Sequence, residues 1–345
     1  MLYRPEPVLR STAGKVDATT PAAQAAAALQ AGETLQVVDA YSTGAEILAA
    51  LATKMPGLPP DAPYADRRRA QRAHRAAALR LLAPIRAHRV SLSGARPIGF
   101  LGELYPELDV FYLPFIVVQE LHGAWGRYRE GTQLAVLGFK VHPYFGTYVP
   151  TRTSHLELFG TWLSQYQGPR GRAVDVGTGC GVLALMLAKA GVPQVRATDS
   201  NPNAVESLRR DLERLERFGG ITPVVGDLLA GDETKSDLIV FNPPWTHGEV
   251  VEPFDGALYF DDDLFERFFE QAIGCLTPDG RIVLLFSTVM QLVQPDVPHP
   301  ILAELDWGRL RLVQKLHRKV KPGRDAQGRR RRTREKVEVW ELALS

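Results

Sequence analysis

Residues 131–345 predict an α/β domain built on a doubly wound, mostly parallel sheet of seven strands. Three observations point there. Short buried-type apolar runs alternate with helical stretches from about residue 172 onward. A glycine-rich turn follows the first run, where a strand hands over to a helix. The last two runs are joined by a polar Gly/Arg segment and no helix, so they pair antiparallel. At about 150 residues per domain, 345 residues leave room for one more domain. That is residues 1–130, read as largely helical with room for strands.

In the first domain, residues 21–31 and 66–83 are strong helix formers. Pro56, Pro59, Pro60 and Pro63 break the chain between them, and Pro84 ends or bends the second helix. From Gly131 the pattern changes. Residues 132–149 are short β-type runs punctuated by Gly and Pro, a hairpin, and a helical stretch follows Pro150. Expected strands then fall at 172–176, 194–198, 221–225, 236–241, 281–287, 310–320 and 336–344. Helices fit at 181–190, 202–217, 264–276 and 299–307.

Composition excludes several classes. Apolar residues make up 45% and charged residues 23%, which rules out a wholly disordered chain or a collagen-like repeat. The two cysteines, Cys180 and Cys275, cannot staple a mini-protein or form a zinc site alone, and they suit a reducing compartment. The opening MLYRPEPVLR has no apolar run of the signal-peptide kind, and the stretch around 110–118 is too short to span a bilayer. The expectation is a soluble, cytoplasmic protein with no membrane partner. Its oligomeric state is not legible.

The net charge of +2 conceals strong segregation. Residues 67–89 carry eight Arg and no acid, and residues 309–336 carry thirteen Lys or Arg against two acids. Such segments on an otherwise acidic chain can meet a polyanion, or can simply be solvated surfaces.

The chemistry concentrates at the expected strand ends. Residues 173–181 read AVDVGTGCG: Asp175 closes a strand, and Gly177, Gly179 and Gly181 let the backbone approach a ligand closely. The G-x-G-x-G spacing departs from the G-x-G-x-x-G of dinucleotide sites. The next strand ends at Asp199, whose carboxylate can accept both hydroxyls of a ribose; Ser200 follows where a base would lie. Asn201-Pro202 also reads as a plain helix start. Asp227 and Leu228 follow the third strand, where Asp227 can accept from a base amine or serve only as a turn residue. The fourth strand ends in Asn242-Pro243-Pro244-Trp245. Two prolines stiffen the backbone and remove two N–H donors, leaving the Asn242 side-chain oxygen and the Pro243 carbonyl to accept from one amino group. Trp245 adds a flat face for a planar amide or base. No metal site is expected; Asp261-Asp262-Asp263 reads as the start of a helix, where acids favour the N-terminus. His247 reads as a loop histidine.

These residues resemble the class I S-adenosylmethionine-dependent N-methyltransferases of the Asn-Pro-Pro-aromatic type, over roughly residues 132–345. The resemblance implies a Rossmann-like methyltransferase sheet and S-adenosylmethionine as cofactor. It places the methionine moiety on Gly177, Gly179 and Gly181 with Asp175, ribose on Asp199, and adenine near Ser200, Asp227 and Leu228. Asn242 to Trp245 would hold the accepting amino group, with Trp245 in place of the commoner Tyr. Upstream, Tyr148, Pro150 and Ser154 match a Tyr-x-Pro-x-x-x-Ser/Thr element of release-factor glutamine methyltransferases and related adenine-N6 enzymes, which adds Tyr148 and Ser154 to the cofactor set. Arg152 and Thr153 replace the acids usual there, which departs from a glutamine-specific lid. The implied activity is methyl transfer to a planar sp² amino group. The basic segments, with Arg329, Arg330, Arg331, Arg332 and Arg334 in the loop on the acceptor side, favour a base amine in RNA. A protein glutamine amide is the alternative, followed by a small-molecule amine and by a non-catalytic module that binds cofactor or RNA.

Overall fold

The computed structural model describes residues 2–53, 62–249, 255–320 and 334–345. Residues Leu2–Arg129 and Glu130–Ser345 form two compact units.

The first unit places helices around a small sheet. Its elements are β1 (Gly14–Val16), α1 (Ala22–Gln30), β2 (Leu35–Val37), α2 (Tyr41–Thr53), α3 (Tyr64–Ala78), β3 (Leu81–Arg86), β4 (Arg89–Val90), α4 (Phe100–Leu104), β5 (Val110–Pro114) and α5 (Phe115–Glu130). The strands run β1-β2-β3-β4, and β5 also pairs with β3. One expectation is corrected here. The helix read over 66–83 stops at Ala78, and Leu81–Ile85 become a strand buried along its length. A continuous apolar run fits a buried strand as well as a helix face. Pro84, taken as a helix breaker, lies inside that strand opposite Tyr112.

The second unit begins with a hairpin, β6 (Thr132–Leu134) and β7 (Phe139–Val141), then α6 (Ser154–Gln165). The sheet elements follow: β8 (Arg172–Val176), α7 (Val182–Lys189), β9 (Gln194–Asp199), α8 (Pro202–Leu215), β10 (Ile221–Val225) and β11 (Ser236–Phe241). A short ribbon, β12 (Thr246–His247) with β13 (Tyr259–Phe260), flanks a 3₁₀ turn at Asp255–Ala257. Then come α9 (Leu264–Cys275), β14 (Leu276–Ser287), α10 (Val289–Val293), α11 (Pro300–Trp307), β15 (Leu310–Lys319) and β16 (Lys336–Leu344).

The seven strands lie in the order β10-β9-β8-β11-β14-β16-β15. All pairings are parallel except those of β16, which is antiparallel to both β14 and β15. The order reverses between β8 and β11, and in open α/β sheets ligands bind outside the strand ends at that switch point. Strand β14 starts five residues earlier than expected, because a bulge between its pairings lets Leu276 lie opposite Ser236 and Arg281 opposite Leu238. The two sheet faces bury separate cores, one under α6 and α7 around Trp162, the other under α9 around Phe268. No described helix is long and apolar enough to cross a membrane.

Candidate functional site

A cavity of about 320 Å³ opens at the switch point. Its floor is the glycine turn after β8. Gly177, Gly179 and Gly181 all adopt left-handed backbone, with φ of 63°, 53° and 80°, which a side chain resists. Gly181 also meets α8: a Cβ there would lie 2.4 Å from Leu208 Cδ1. Asp175 holds the turn from below. Its Oδ2 accepts from Thr178 Oγ1 at 2.7 Å and from the Ala184 backbone N–H at 2.9 Å. Full burial pushes its carboxyl up to about 7.

Asp199 stands at the tip of β9 against this turn. One oxygen accepts the Gly179 N–H and the other the Asn201 N–H, each at 2.8 Å. Burial raises its carboxyl above the usual range, and those two N–H groups oppose the rise. Asn201 caps α8, accepting from Asn203 N at 3.0 Å. Ser200 is exposed at the cavity edge. Asp227 also lines the cavity but is exposed, and it forms an ion pair with Arg267 of α9. The same guanidinium reaches Asp263 at 3.1 Å. Asp263 is the cap residue of α9 without capping it by side chain. Leu228, buried beside Asp227, adopts φ +48°.

The opposite wall is the end of β11. Asn242, Pro243, Pro244 and Trp245 all line the cavity. The Asn242 Oδ1 is buried and has no hydrogen-bond partner among the described residues. The Trp245 indole N–H donates to the Leu285 carbonyl at 3.2 Å, and the His155 ring stands perpendicular to it at 5.1 Å. His155 is buried, neither ring nitrogen has a partner among the described residues, and burial depresses its pKa to about 4.

Tyr148 and Pro150 cover the glycine turn, and the Tyr148 carbonyl would lie 3.5 Å from a Cβ on Gly179. The backbone leading to them is clasped by α8. His142 N donates to Asp211 at 2.8 Å, and Tyr144 N to Ser207 Oγ at 3.1 Å. Asn203 Nδ2 donates to the Phe145 carbonyl and Asn201 Nδ2 to the Gly146 carbonyl, both at 2.8 Å. Residues 203, 207 and 211 recur every four positions, so they share one helix face.

Several expected site residues thus converge on one cavity and others do not. Asp175 and Ser154 are not among its lining residues. Asp175 supports the turn, and Ser154 opens α6. Arg329, Arg330, Arg331 and Arg332 lie outside the described residues; Arg334 is exposed. Sequence reasoning missed the α8 clasp, Arg267, His155, and the lining residues Gly256, Ala257, Leu258, Leu264 and Val289. The spacing of Asn203, Ser207 and Asp211 was the available signal. No group of three metal-ligating side chains occurs among the described residues.

Residues 157–295 match the family model described as the methyltransferase small domain. This segment is similar to methyltransferase domains. Its cofactor is S-adenosylmethionine. Over 126 residues the chain is 39% identical to the release factor glutamine methyltransferase of Deinococcus radiodurans, covering 33% of this chain and 44% of that protein. Over 129 residues it is 33% identical to the ribosomal protein L11 methyltransferase of Pelotomaculum thermopropionicum, covering 37% and 36%. A Geobacillus kaustophilus protein of the latter description is 27% identical over 203 residues, covering 54% and 59%. The chain therefore spans between about a third and three-fifths of the length of these relatives. The residues of the cavity fit such a cofactor chemically: a carboxylate for vicinal hydroxyls, a glycine turn whose Cβ positions are crowded or strained, and a free buried acceptor on the far wall.

Proposed function

We propose that this chain is an S-adenosylmethionine-dependent N-methyltransferase that modifies a planar sp² amino group. The observation that carries this reading is the buried, unpartnered Asn242 Oδ1, set beside Pro243 and Pro244 in the cavity wall. A buried acceptor without a donor costs about 1–3 kcal/mol, and an incoming N–H₂ group supplies the missing donor. The cofactor would rest on Gly177, Gly179 and Gly181, with Asp199 at its ribose and Asp227 and Leu228 toward its adenine. When bound there it supplies a methyl group on a good leaving sulfur. The protein's own contribution is placement: Asn242 Oδ1 and the Pro243 carbonyl orient the two N–H bonds, Trp245 supports the acceptor plane, and Tyr148 and Pro150 exclude water. The oxygens also favour the positive charge that develops on the accepting nitrogen.

As substrate we favour a base amine in RNA, because of the arginines concentrated in 67–89 and 309–336. The unpaired base would reach the Trp245 face. A second reading, a protein glutamine amide, is favoured by the similarity to a release factor glutamine methyltransferase. The two buried free thiols suit a cytoplasmic enzyme. The test is labelled methyl transfer to total RNA and to total protein from cells lacking the gene. Nuclease-sensitive label supports the first reading, and label confined to a protein band supports the second. Asn242→Ala should keep cofactor binding and lose transfer by about a hundredfold or more. Equal loss of both would sink the role given to Asn242.

A further inference from the structure

The wall that carries Trp245 continues directly into the β12–β13 ribbon. Trp245, Thr246 and Leu258 line the cavity, as does Val289 of α10. Thr246 Oγ1 donates to the Leu258 carbonyl at 2.9 Å, and Gly248 N to the Phe260 carbonyl at 2.9 Å. The ribbon is fastened to the chain just beyond α10 through one side chain. Gln294 Oε1 accepts the His247 N–H at 3.0 Å, and Gln294 Nε2 donates to the His247 carbonyl at 2.8 Å. The primary amide thereby pairs with both backbone groups of a single residue, as a neighbouring strand would. Gln294 is held in turn by its own N–H, which donates to the Met290 carbonyl at 2.7 Å.

We propose that Gln294 is a positioning residue for the acceptor wall, fixing the Trp245–His247 segment so that the indole presents one geometry to the cavity. The proposal rests on the reading of Trp245 as the acceptor's support. On one side of Trp245 two prolines restrict the backbone. On the other side, two residues on, the Gln294 amide does the same by hydrogen bonds. The indole is then pinned by its N–H on the Leu285 carbonyl. A rigid first wall requires such outer support, because an error of about 1 Å at the reacting atoms can cost about a hundredfold in rate.

The test uses the full chain labelled with ¹⁵N. The five tryptophans give indole N–H signals, and Trp245→Phe assigns the one from Trp245. In Gln294→Ala that signal should shift and broaden while the other four stay, cofactor binding should be unchanged, and methyl transfer should fall about tenfold or more. Gln294→Met, which fills the volume without the amide, serves if the Ala variant does not fold. Gln294→Glu adds a discriminating readout. The carboxylate cannot donate to the His247 carbonyl, whereas the protonated acid can. Its transfer rate relative to wild type at the same pH should therefore recover as pH falls through the carboxyl range. His247 and Asp262, which face each other at 2.6 Å, are present in both proteins compared. An unmoved Trp245 signal in Gln294→Ala overturns the proposal. So does loss of cofactor binding in step with transfer, which marks a general structural role, or a Gln294→Glu ratio that stays flat with pH. If wild type transfers to neither RNA nor protein, those two substrate readings fail, and the indole signal still decides the proposal.

Discussion

Asp199 Oδ2 accepts the backbone N–H of Gly179 at 2.8 Å, tying the tip of β9 to the middle of the glycine turn after β8. The other oxygen of the same carboxylate holds the Asn201 N–H where α8 begins. One side chain thus shapes the turn, starts a helix and keeps lone pairs facing the cavity.

Asp199 and Asp227 should therefore behave differently. Asp199→Ala removes both the turn's anchor and the hydroxyl acceptor, and should weaken S-adenosylmethionine binding by about thirtyfold or more, since charged hydrogen bonds are each worth about 1.5–3 kcal/mol. Asp227 is exposed and engaged by Arg267. A contact from so exposed a carboxylate to the base would be solvent-screened, and exposed charge contacts contribute about 0–1 kcal/mol, so Asp227→Ala should cost only a few-fold. Calorimetric titration compares the two, and equal losses would count against the division of roles.

Gly181 offers a test of the turn itself. Its φ of +80° disfavours any side chain, and a Cβ would press on the buried Leu208. Gly181→Ala should lower stability by about 2 kcal/mol or more, read from the urea midpoint. A change within error would mean that α8 yields more readily than its packing implies.

The clasp on residues 142–146 should be separable from the chemistry. Asp211→Ala leaves the His142 N–H without its acceptor, and should cost about 1–3 kcal/mol. Because Tyr148 follows this segment, cofactor affinity should also fall, while the ratio of turnover to binding changes little. A fall in turnover alone would contradict this.

Acid sensitivity follows from His155. Its folded pKa of about 4 lies below the ordinary 6.5. Between those values the unfolded chain takes up a proton that the folded chain refuses. Stability from this group is therefore intact above about pH 6.5 and is lost as pH falls toward 4. One such group costs about 2 kcal/mol between pH 7 and 5. His155→Phe cannot take up that proton, so wild type should lose about 2 kcal/mol relative to it over the same range, while Asp175, raised to about 7, contributes with opposite sign and equally to both. An unchanged difference between the two proteins would show that His155 is not held neutral.

Much of the second unit was legible because local signals agreed. The apolar runs at 172–176, 221–225 and 236–241 begin and end at the strand limits of β8, β10 and β11, and glycines mark the turn between β8 and α7. Where two physical readings shared one pattern, reading failed. Leu81–Ile85 looked like the apolar side of a helix and became a strand buried along its length. Polar residues on a helix ordinarily mean water, yet Asn203, Ser207 and Asp211 of α8 are buried against backbone. Arg267 could not be paired with Asp227 from sequence, since forty residues and a sheet crossover separate them.

The α8 clasp also bears on traffic during turnover. Four side chains hold the backbone of 142–146, so that flank acts as masonry, and opening it means breaking four hydrogen bonds at once, two of them buried. On the proposed reading, cofactor exchange would leave this wall standing and use another part of the cavity mouth.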